Sequence, residues 1–260
     1  LYSGSFDCSV KIWNLKDLNS GGVVSCKFSL KGHEHTIWSI LVLEELNLLL
    51  TGSADKFIKQ WTLNESRTDA KLVCKYTGHT DCVRGMAFIR EKRGNEFLSC
   101  SNDGNVLLWR LGNAAPLKQI NVTDSFLYSI NMLDKTKLSG AEASQADNDT
   151  CLFISSGEDR SVRINNLVYD GTRYISSCLQ TIALPSQSIW YCLCLNNGNI
   201  AVACSDGSVR IFTQHETQFA TKSEQEEYER ELSQFAIPLK TNETLSQLNR
   251  RDLPTIEALA

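Results

Sequence analysis

Residues 50–61 read LTGSADKFIKQW, and the spacing from aspartate to tryptophan within this stretch recurs along the chain. A tryptophan stands six residues after an aspartate in the pairs Asp7–Trp13, Asp55–Trp61 and Asp103–Trp109. Two further pairs keep the spacing but replace the tryptophan, namely Asp159–Asn165 and Asp206–Phe212. Successive aspartates lie 47 to 56 residues apart by their numbers. A repeat of this length with an Asp-to-Trp unit is typical of β-propeller blades, so the sequence predicts an all-β fold of five repeats.

The composition narrows the classes of partner. The chain has 260 residues, of which 42% are hydrophobic and 22% charged, as in ordinary globular proteins. Its formal net charge of −4 gives no electrostatic reason to expect nucleic acid or an anionic membrane as a partner. No apolar run approaches the roughly 18 residues that a membrane-spanning helix needs. We therefore expect neither a nucleic-acid partner nor a membrane span.

Ten cysteines raise the question of disulfides or a metal site. The chain contains no Cys-x-x-Cys pair, and Cys192 and Cys194 would share one face of a strand. Others, such as Cys74, Cys100 and Cys204, stand among apolar residues typical of strands. The pattern favours small buried hydrophobic residues in a reducing compartment, with no metal and no cofactor.

Each repeat divides into four short strands separated by polar residues and glycines. In the second repeat the predicted strands are Thr36–Leu43, Leu48–Ser53, Phe57–Leu63 and Leu72–Tyr76. Extra residues fall between first and second strands, at Glu91–Asn95 and Ser139–Thr150, and between third and fourth strands, at Asn64–Ala70 and Asn166–Tyr174. These two classes of loop share one side of a blade. The opposite side, which carries the constant aspartate turn, is the predicted binding face.

The two ends of the chain differ from the middle. Leu1-Tyr2-Ser3 resembles the inside of a second strand, and no fourth strand is evident after Phe212. We therefore expect residues 1–215 to form an N-terminally truncated propeller, with about four and a half of seven blades. Residues 216–260 are predicted as a C-terminal helix over Ser223–Ala236 followed by a flexible linker, with Ser223 and Glu226 as a capping box.

Two repeats contain a set of polar residues at matching positions. The sets are His33, Thr51, Asp55 and Trp61 in the second repeat, and His79, Ser99, Asp103 and Trp109 in the third. A histidine, a hydroxyl and a carboxylate could form a catalytic triad, but an active site is rarely copied in successive blades. The recurrence instead indicates a buried hydrogen-bonded chain, from Trp through Ser or Thr and His to Asp, that fixes each blade.

The repeats resemble WD repeats, since Gly32-His33 and Gly78-His79 begin them and a tryptophan stands near the end. Segments 50–56, 78–85, 180–190 and 205–213 further resemble the propeller of the phospholipase A2-activating protein (PLAA) family, and the tail continues the likeness. The weaker places are Ser139–Thr150 and Asn165.

This resemblance implies a seven-bladed propeller that binds ubiquitin or ubiquitinated proteins, in a cytoplasmic and nuclear protein. It also implies an AAA+ segregase as a partner, bound through a C-terminal domain that is absent from this chain. The function expected on these grounds is that of a non-catalytic adaptor in ubiquitin-dependent protein turnover and ubiquitin recycling.

Four residues at one position of the repeat are the predicted ubiquitin-binding residues. Trp38 and Arg84 stand five residues after His33 and His79, and the shared pattern places Tyr128 and Trp190 at the same position. Trp, Tyr and Arg are enriched in binding hot spots. The alternative is that they only pack on inner strands. Weaker candidates on the neighbouring aspartate turns are Lys56, Asp159 and Arg160.

Two other classes of function remain as alternatives. A WD-repeat substrate receptor or scaffold of a ubiquitin ligase often carries Trp-Asp-x-Arg, whereas here Lys16, Asn64 and Gly112 stand at the arginine position. An enzyme would need a reactive group, yet the chain has only four histidines and neither a phosphate-binding glycine loop nor a nucleophile elbow. We expect no catalytic residue.

Overall fold

The computed structural model describes residues 1–15, 24–90, 95–134, 150–213 and 220–234, together with the backbone of Glu257–Ala258. Strands β1 to β19 are Tyr2–Gly4, Ser9–Asn14, Ser25–Lys31, Ile37–Leu43, Leu48–Ser53, Ile58–Leu63, Ala70–Tyr76, Val83–Ile89, Glu96–Ser101, Asn105–Arg110, Lys118–Asn121, Leu127–Leu133, Thr150–Gly157, Ser161–Tyr169, Tyr174–Ala183, Ile189–Cys194, Ile200–Cys204, Val209–Thr213 and Glu257–Ala258. The described helix, α1, is Lys222–Gln234.

The chain divides into an N-terminal unit, Leu1–Ile130, and a C-terminal unit, Asn131–Ala260, with the division inside β12. The strands form five antiparallel sheets in chain order, and these are β1-β2-β3, β4-β5-β6-β7, β8-β9-β10-β11, β12-β13-β14-β15 and β16-β17-β18-β19. Each sheet corresponds to one repeat, which confirms the predicted all-β blades. The strand bounds of the second repeat agree with those predicted to within two residues.

The second strands β5, β9 and β13 are buried on both faces, whereas in β17 the residues of one face are half-buried. In the N-terminal unit, Leu49 and Leu50 of β5 and Phe97 and Leu98 of β9 are fully buried. In the C-terminal unit, a corresponding cluster includes Ile154, Ile189 and Val202. Burial of these side chains is the main stabilising term in each sheet.

The repeated aspartate makes the same turn in all five sheets. Its Oδ1 accepts the backbone N–H two residues later, for example from Phe57 to Asp55 at 3.1 Å and from Asn105 to Asp103 at 2.9 Å. The residue directly after each aspartate has a positive φ, and these residues are Cys8, Lys56, Gly104, Arg160 and Gly207. Aspartate is suited to such a side-chain-closed turn, which explains why this residue is the constant one.

The prediction of a loop over Asn166–Tyr174 was wrong. Strands β14 and β15 continue through most of it as a long hairpin, in which Tyr169 pairs with Tyr174. Their rings lie 4.9 Å apart between centroids. The turn is confined to four residues, where Asp170 Oδ1 accepts the N–H groups of Thr172 and Arg173. Cross-strand aromatic and β-branched pairs therefore extend the ladder beyond the length of the other blades.

The last sheet has a fourth strand that the sequence did not predict. The backbone of Phe212 pairs with that of Ala258, and Thr213 pairs with Glu257. An unpaired edge leaves a row of N–H and C=O groups without partners, and this short strand satisfies part of that row on β18. It falls in the segment predicted as linker.

Helix α1 begins at a different cap from the predicted one. Thr221 and Glu224 form the capping box, because the Thr221 N–H and hydroxyl both donate to Glu224 Oε2 at 2.7 Å. The helix packs on the C-terminal unit through Tyr228, whose hydroxyl donates to Ala183 O at 2.6 Å. Burial there raises the pKa of Tyr228 to about 12.

Candidate functional site

The four polar residues of the second repeat form one buried hydrogen-bonded chain. The Trp61 indole donates to Thr51 Oγ1 at 3.0 Å, and Thr51 Oγ1 lies 2.7 Å from His33 Nε2. His33 Nδ1 lies 2.7 Å from Asp55 Oδ2. The imidazole thus joins the Thr51 hydroxyl through Nε2 to the Asp55 carboxylate through Nδ1.

The third repeat repeats this geometry. The Trp109 indole donates to Ser99 Oγ at 2.8 Å, and the His79 ring joins Ser99 at 2.7 Å and Asp103 at 2.8 Å. Each hydroxyl and carboxylate is already engaged, and Asp103 also accepts the Thr80 N–H. The arrangement leaves no free nucleophile and no free base, so its chemistry is that of a structural network.

Opposing effects act on the carboxyl group of Asp55. Burial raises its pKa. The hydrogen bond and charge interaction with His33, together with hydrogen bonds from the N–H groups of Glu34 and Phe57, lower it by more and leave the pKa at about 2.

The glycine that precedes the histidine of the second repeat is required for steric reasons. A Cβ on Gly32 would lie 2.6 Å from the Trp61 ring, so only glycine lets the chain pass this close.

In four repeats, the side-chain N–H at the tryptophan position donates to a Ser or Thr hydroxyl ten residues earlier in the chain. The Trp13 indole donates to Ser3 Oγ at 2.8 Å, and the Asn165 amide donates to Ser155 Oγ at 3.2 Å. Asn165 thus replaces the indole N–H with an amide N–H. In the fifth repeat, Phe212 has no donor, and the residue ten positions earlier is the apolar Val202.

A cation replaces histidine as the neighbour of the aspartate in the first, fourth and fifth repeats. It stands four residues after the aspartate, and the N–O distances are 3.9 Å for Lys11–Asp7, 2.7 Å for Arg163–Asp159 and 2.8 Å for Arg210–Asp206. Asp159 was a candidate for partner binding, and the structure places it in this pair and in a hydrogen bond with Ser161. These two contacts lie within its own turn and the strand that follows it.

Three of the four predicted binding residues are the extra residues of β-bulges. Trp38 stands between Ile37 and Ser39, which pair with the consecutive residues Ser53 and Gly52, so Trp38 itself has no opposite partner. The same register shift occurs at Arg84, between Val83 and Gly85, and at Trp190, between Ile189 and Tyr191. A bulge bends the strand and redirects a side chain, and bulges are common beside functional sites.

Three of the predicted binding residues, Trp38, Arg84 and Tyr128, lie together in the N-terminal unit. The Arg84 guanidinium carbon lies 4.0 Å from the ring centroid of Trp38 and 4.7 Å from that of Tyr128. Phe6 packs edge-on against Trp38 at 5.4 Å, and Phe126 lies 6.4 Å from Tyr128. We call these five residues the aromatic cluster. Trp38 is 41% exposed, and Phe6 and Phe126 are also exposed.

The sequence interpretation missed Phe6 and Phe126. Their signal was their position, because Phe6 directly precedes a repeated aspartate and Phe126 precedes the strand that carries Tyr128. An apolar ring in a short polar turn is unusual unless it packs or binds. Here both rings extend the surface that Trp38 and Tyr128 begin.

The remaining candidates lie elsewhere. Trp190 stands on its own bulge in the C-terminal unit and is 50% exposed. Lys56 is exposed and Arg160 half-buried, each in the left-handed position of its aspartate turn. Their roles in binding stay predictions. Over the described residues, no set of three or more metal-ligating side chains comes together, and no helix is long and apolar enough to cross a membrane.

Comparisons with known proteins agree with this architecture. The WD domain, G-beta repeat, matches residues 24–62, 70–110 and 176–213. The crystal structure of the WD40 β-propeller domain of Doa1 superposes with a TM-score of 0.64 at 32% identity, covering 85% of this chain and 62% of that one.

The sequence similarity to one relative covers nearly the whole chain. The ubiquitin homeostasis protein lub1 of Schizosaccharomyces pombe is 33% identical over 94% of this chain, and the phospholipase A-2-activating protein of Xenopus laevis is 44% identical over 29% of it. The chain spans 34% of the length of the first relative and 9% of the second. By these similarities in repeat, fold and sequence, the chain belongs to the phospholipase A2-activating protein family of WD-repeat proteins.

Proposed function

We propose that this chain is a non-catalytic adaptor that binds ubiquitin or ubiquitinated proteins in ubiquitin-dependent protein turnover and ubiquitin recycling. The aromatic cluster is the observation that carries the proposal. It presents two exposed phenylalanines, a half-exposed tryptophan and an arginine together on one surface of the N-terminal unit. Clusters of Trp, Tyr and Arg of this kind supply most of the binding energy in protein interfaces.

The names of the relatives point to the class of partner. One relative is a ubiquitin homeostasis protein, and a Caenorhabditis elegans protein that is 28% identical over 82% of this chain is a ubiquitin fusion degradation protein 3 homolog. An apolar, weakly charged cluster suits a small globular partner with an apolar surface. The engagement of His33 and His79 in structural chains supports a role without catalysis.

The wider function follows from the family. We propose that the protein works with the hexameric AAA+ segregase through a C-terminal domain beyond residue 260, in the cytoplasm and nucleus. Trp190 is proposed as a further contact for ubiquitin, with Lys56, Asp159 and Arg160 as weaker contributors.

A direct binding comparison tests the proposal. The chain is immobilised and offered mono-ubiquitin in one arm and a cullin-ligase adaptor protein in the other. Saturable capture of ubiquitin alone supports the proposal. Capture of the cullin adaptor alone would instead identify the alternative, a substrate receptor of a ubiquitin ligase.

A further inference from the structure

Arg84 is a cation that has no ion-pair partner among the described residues, whereas Arg163 and Arg210, which stand in third strands four residues after a repeated aspartate, each pair with a carboxylate. Its contacts are the ring of Trp38, the ring of Tyr128 and the thiol of Cys82. Burial raises the pKa of Cys82 to about 11, so this thiol is neutral near pH 7 and does not balance the charge.

The two ring contacts determine which part of the guanidinium can meet a partner. Aromatic rings stack against the flat faces of the group, whereas its N–H donors point outward in the plane. Contact with Trp38 and Tyr128 also restricts the Arg84 side chain before a partner binds. Less side-chain entropy is therefore lost on binding. The result is a guanidinium held against two rings of the aromatic cluster, with N–H donors beyond the one that meets Cys82.

A donor row of this shape matches a planar acceptor with two oxygens. A carboxylate accepts two parallel N–H bonds from arginine, and such paired, charge-assisted bonds are stronger than neutral ones. A lysine at this position would offer one point charge with no fixed plane. The surrounding rings would exclude water from the bonds once a partner covers them, which strengthens the interaction.

We infer that Arg84 is the specificity-determining residue of the aromatic cluster and binds a carboxylate, from an Asp or Glu side chain or from a chain terminus, at the edge of the partner's apolar surface. The inference rests on the proposed function, because the partner that carries the carboxylate is ubiquitin. It adds that the contact is not purely apolar and that its selectivity depends on one ion pair.

The test measures ubiquitin affinity by isothermal titration with three forms of the chain. These are wild type, Arg84→Gln, which keeps a planar polar group without charge, and Arg84→Lys, which keeps charge without the planar fork. We expect Arg84→Gln to weaken binding about 10- to 100-fold and Arg84→Lys about 3- to 10-fold. Affinity of the wild type should fall as salt rises from about 50 to about 500 mM, and that of Arg84→Gln should barely change. Thermal unfolding of each variant shows whether the fold is kept.

A second panel identifies the acceptor. Ubiquitin variants with single Asp or Glu residues changed to Asn or Gln, and one lacking its terminal carboxylate, are titrated against wild type and Arg84→Gln. One of them should weaken binding to the wild type and leave Arg84→Gln unaffected.

The outcomes separate the two proposals. If Trp38→Ala loses binding while Arg84→Gln binds within twofold of wild type with the same salt dependence, the carboxylate inference is wrong and the ubiquitin proposal stands. If the folded wild-type chain does not bind ubiquitin at all, both are overturned.

Discussion

The guanidinium carbon of Arg84 lies 4.0 Å from the centroid of the Trp38 ring, although the two residues belong to different sheets. Each is the extra residue of a β-bulge at the start of the first strand of its sheet. Because the bulges recur at the same point, they bring side chains from successive blades into contact. This relationship is the structural basis of the proposed binding surface.

Truncation of Trp38 tests the surface. We expect Trp38→Ala to weaken ubiquitin binding at least tenfold, because the variant removes an exposed ring and the support of Arg84. Leu72→Ala is a matched control, since Leu72 is 44% exposed on the outer strand β7, and its affinity should stay within twofold. Titration and thermal unfolding measure both. Equal affinities for the two variants would contradict the assignment of the surface.

Removal of Trp61 tests the structural chain. Trp61→Ala should lower the free energy of unfolding by about 3–5 kcal/mol, because a buried ring is lost and Thr51 loses its donor. Trp61→Phe keeps most of the packing and loses the N–H, so a smaller loss of about 1–2 kcal/mol is expected. Urea unfolding measures both. A loss below about 1 kcal/mol for Trp61→Ala would show that this chain does not stabilise the blade.

The low pKa of Asp55 predicts a defined dependence on pH. Its value is about 2 when folded, against 3.8 for an unperturbed aspartate. The folded value is depressed, so the stabilisation is fully present above about pH 5 and is lost as pH falls through about 4 toward 2. It amounts to about 2 kcal/mol near neutral pH.

The measurement compares wild type with Asp55→Asn in urea unfolding between about pH 6 and pH 3. The difference in free energy of unfolding should be constant above about pH 5 and shrink below it. A difference that grows on acidification would have the opposite sign and would contradict the assignment.

The left-handed turn residues respond in opposite ways to substitution. Lys56 has a φ of 74° and Gly104 has one of 76° at the same position of the turn. Lys56→Gly should raise the free energy of unfolding by up to about 1 kcal/mol, since glycine adopts this conformation without steric cost.

Gly104→Ala is the reciprocal change and should cost more than about 2 kcal/mol. A Cβ there would lie 2.0 Å from the Thr123 carbonyl oxygen, which requires the backbone to move. Chemical denaturation of both variants measures the pair. Two changes of the same sign would show that the backbone conformation of this turn does not control its stability.

The sequence predicted that the first, fourth and fifth repeated aspartates form turns, but it did not predict which cation pairs with each of them. Each has its cation four residues later, and that spacing is visible in the sequence at Lys11, Arg163 and Arg210. The second repeat has Lys59 at the same spacing, yet this lysine donates to Gly32 O while His33 takes the carboxylate. Which residue binds the aspartate depends on competition within the folded blade.

The amino-acid sequence alone determined the repeat, the all-β blades and the turn at each aspartate. The reason is that these features rest on interactions within one sheet, between residues such as Trp61 and Thr51 that stand ten apart in the chain. Even the substitution of Asn165 for tryptophan keeps its hydroxyl partner at that spacing. Local hydrogen bonding and strand periodicity leave a direct record in sequence.

Only the tertiary structure decided which of the predicted residues touch and which further rings join them. The contacts of Arg84 with Trp38 and Tyr128 join residues from three sheets, and Phe6 adds a ring from the turn between β1 and β2. The number of residues between these side chains in the chain reflects the length of a blade and does not reveal that the side chains are in contact. The length of the β14–β15 hairpin likewise depends on cross-strand pairing. This pairing favours a strand over a loop only after the two segments have been brought together, so the sequence alone did not predict it.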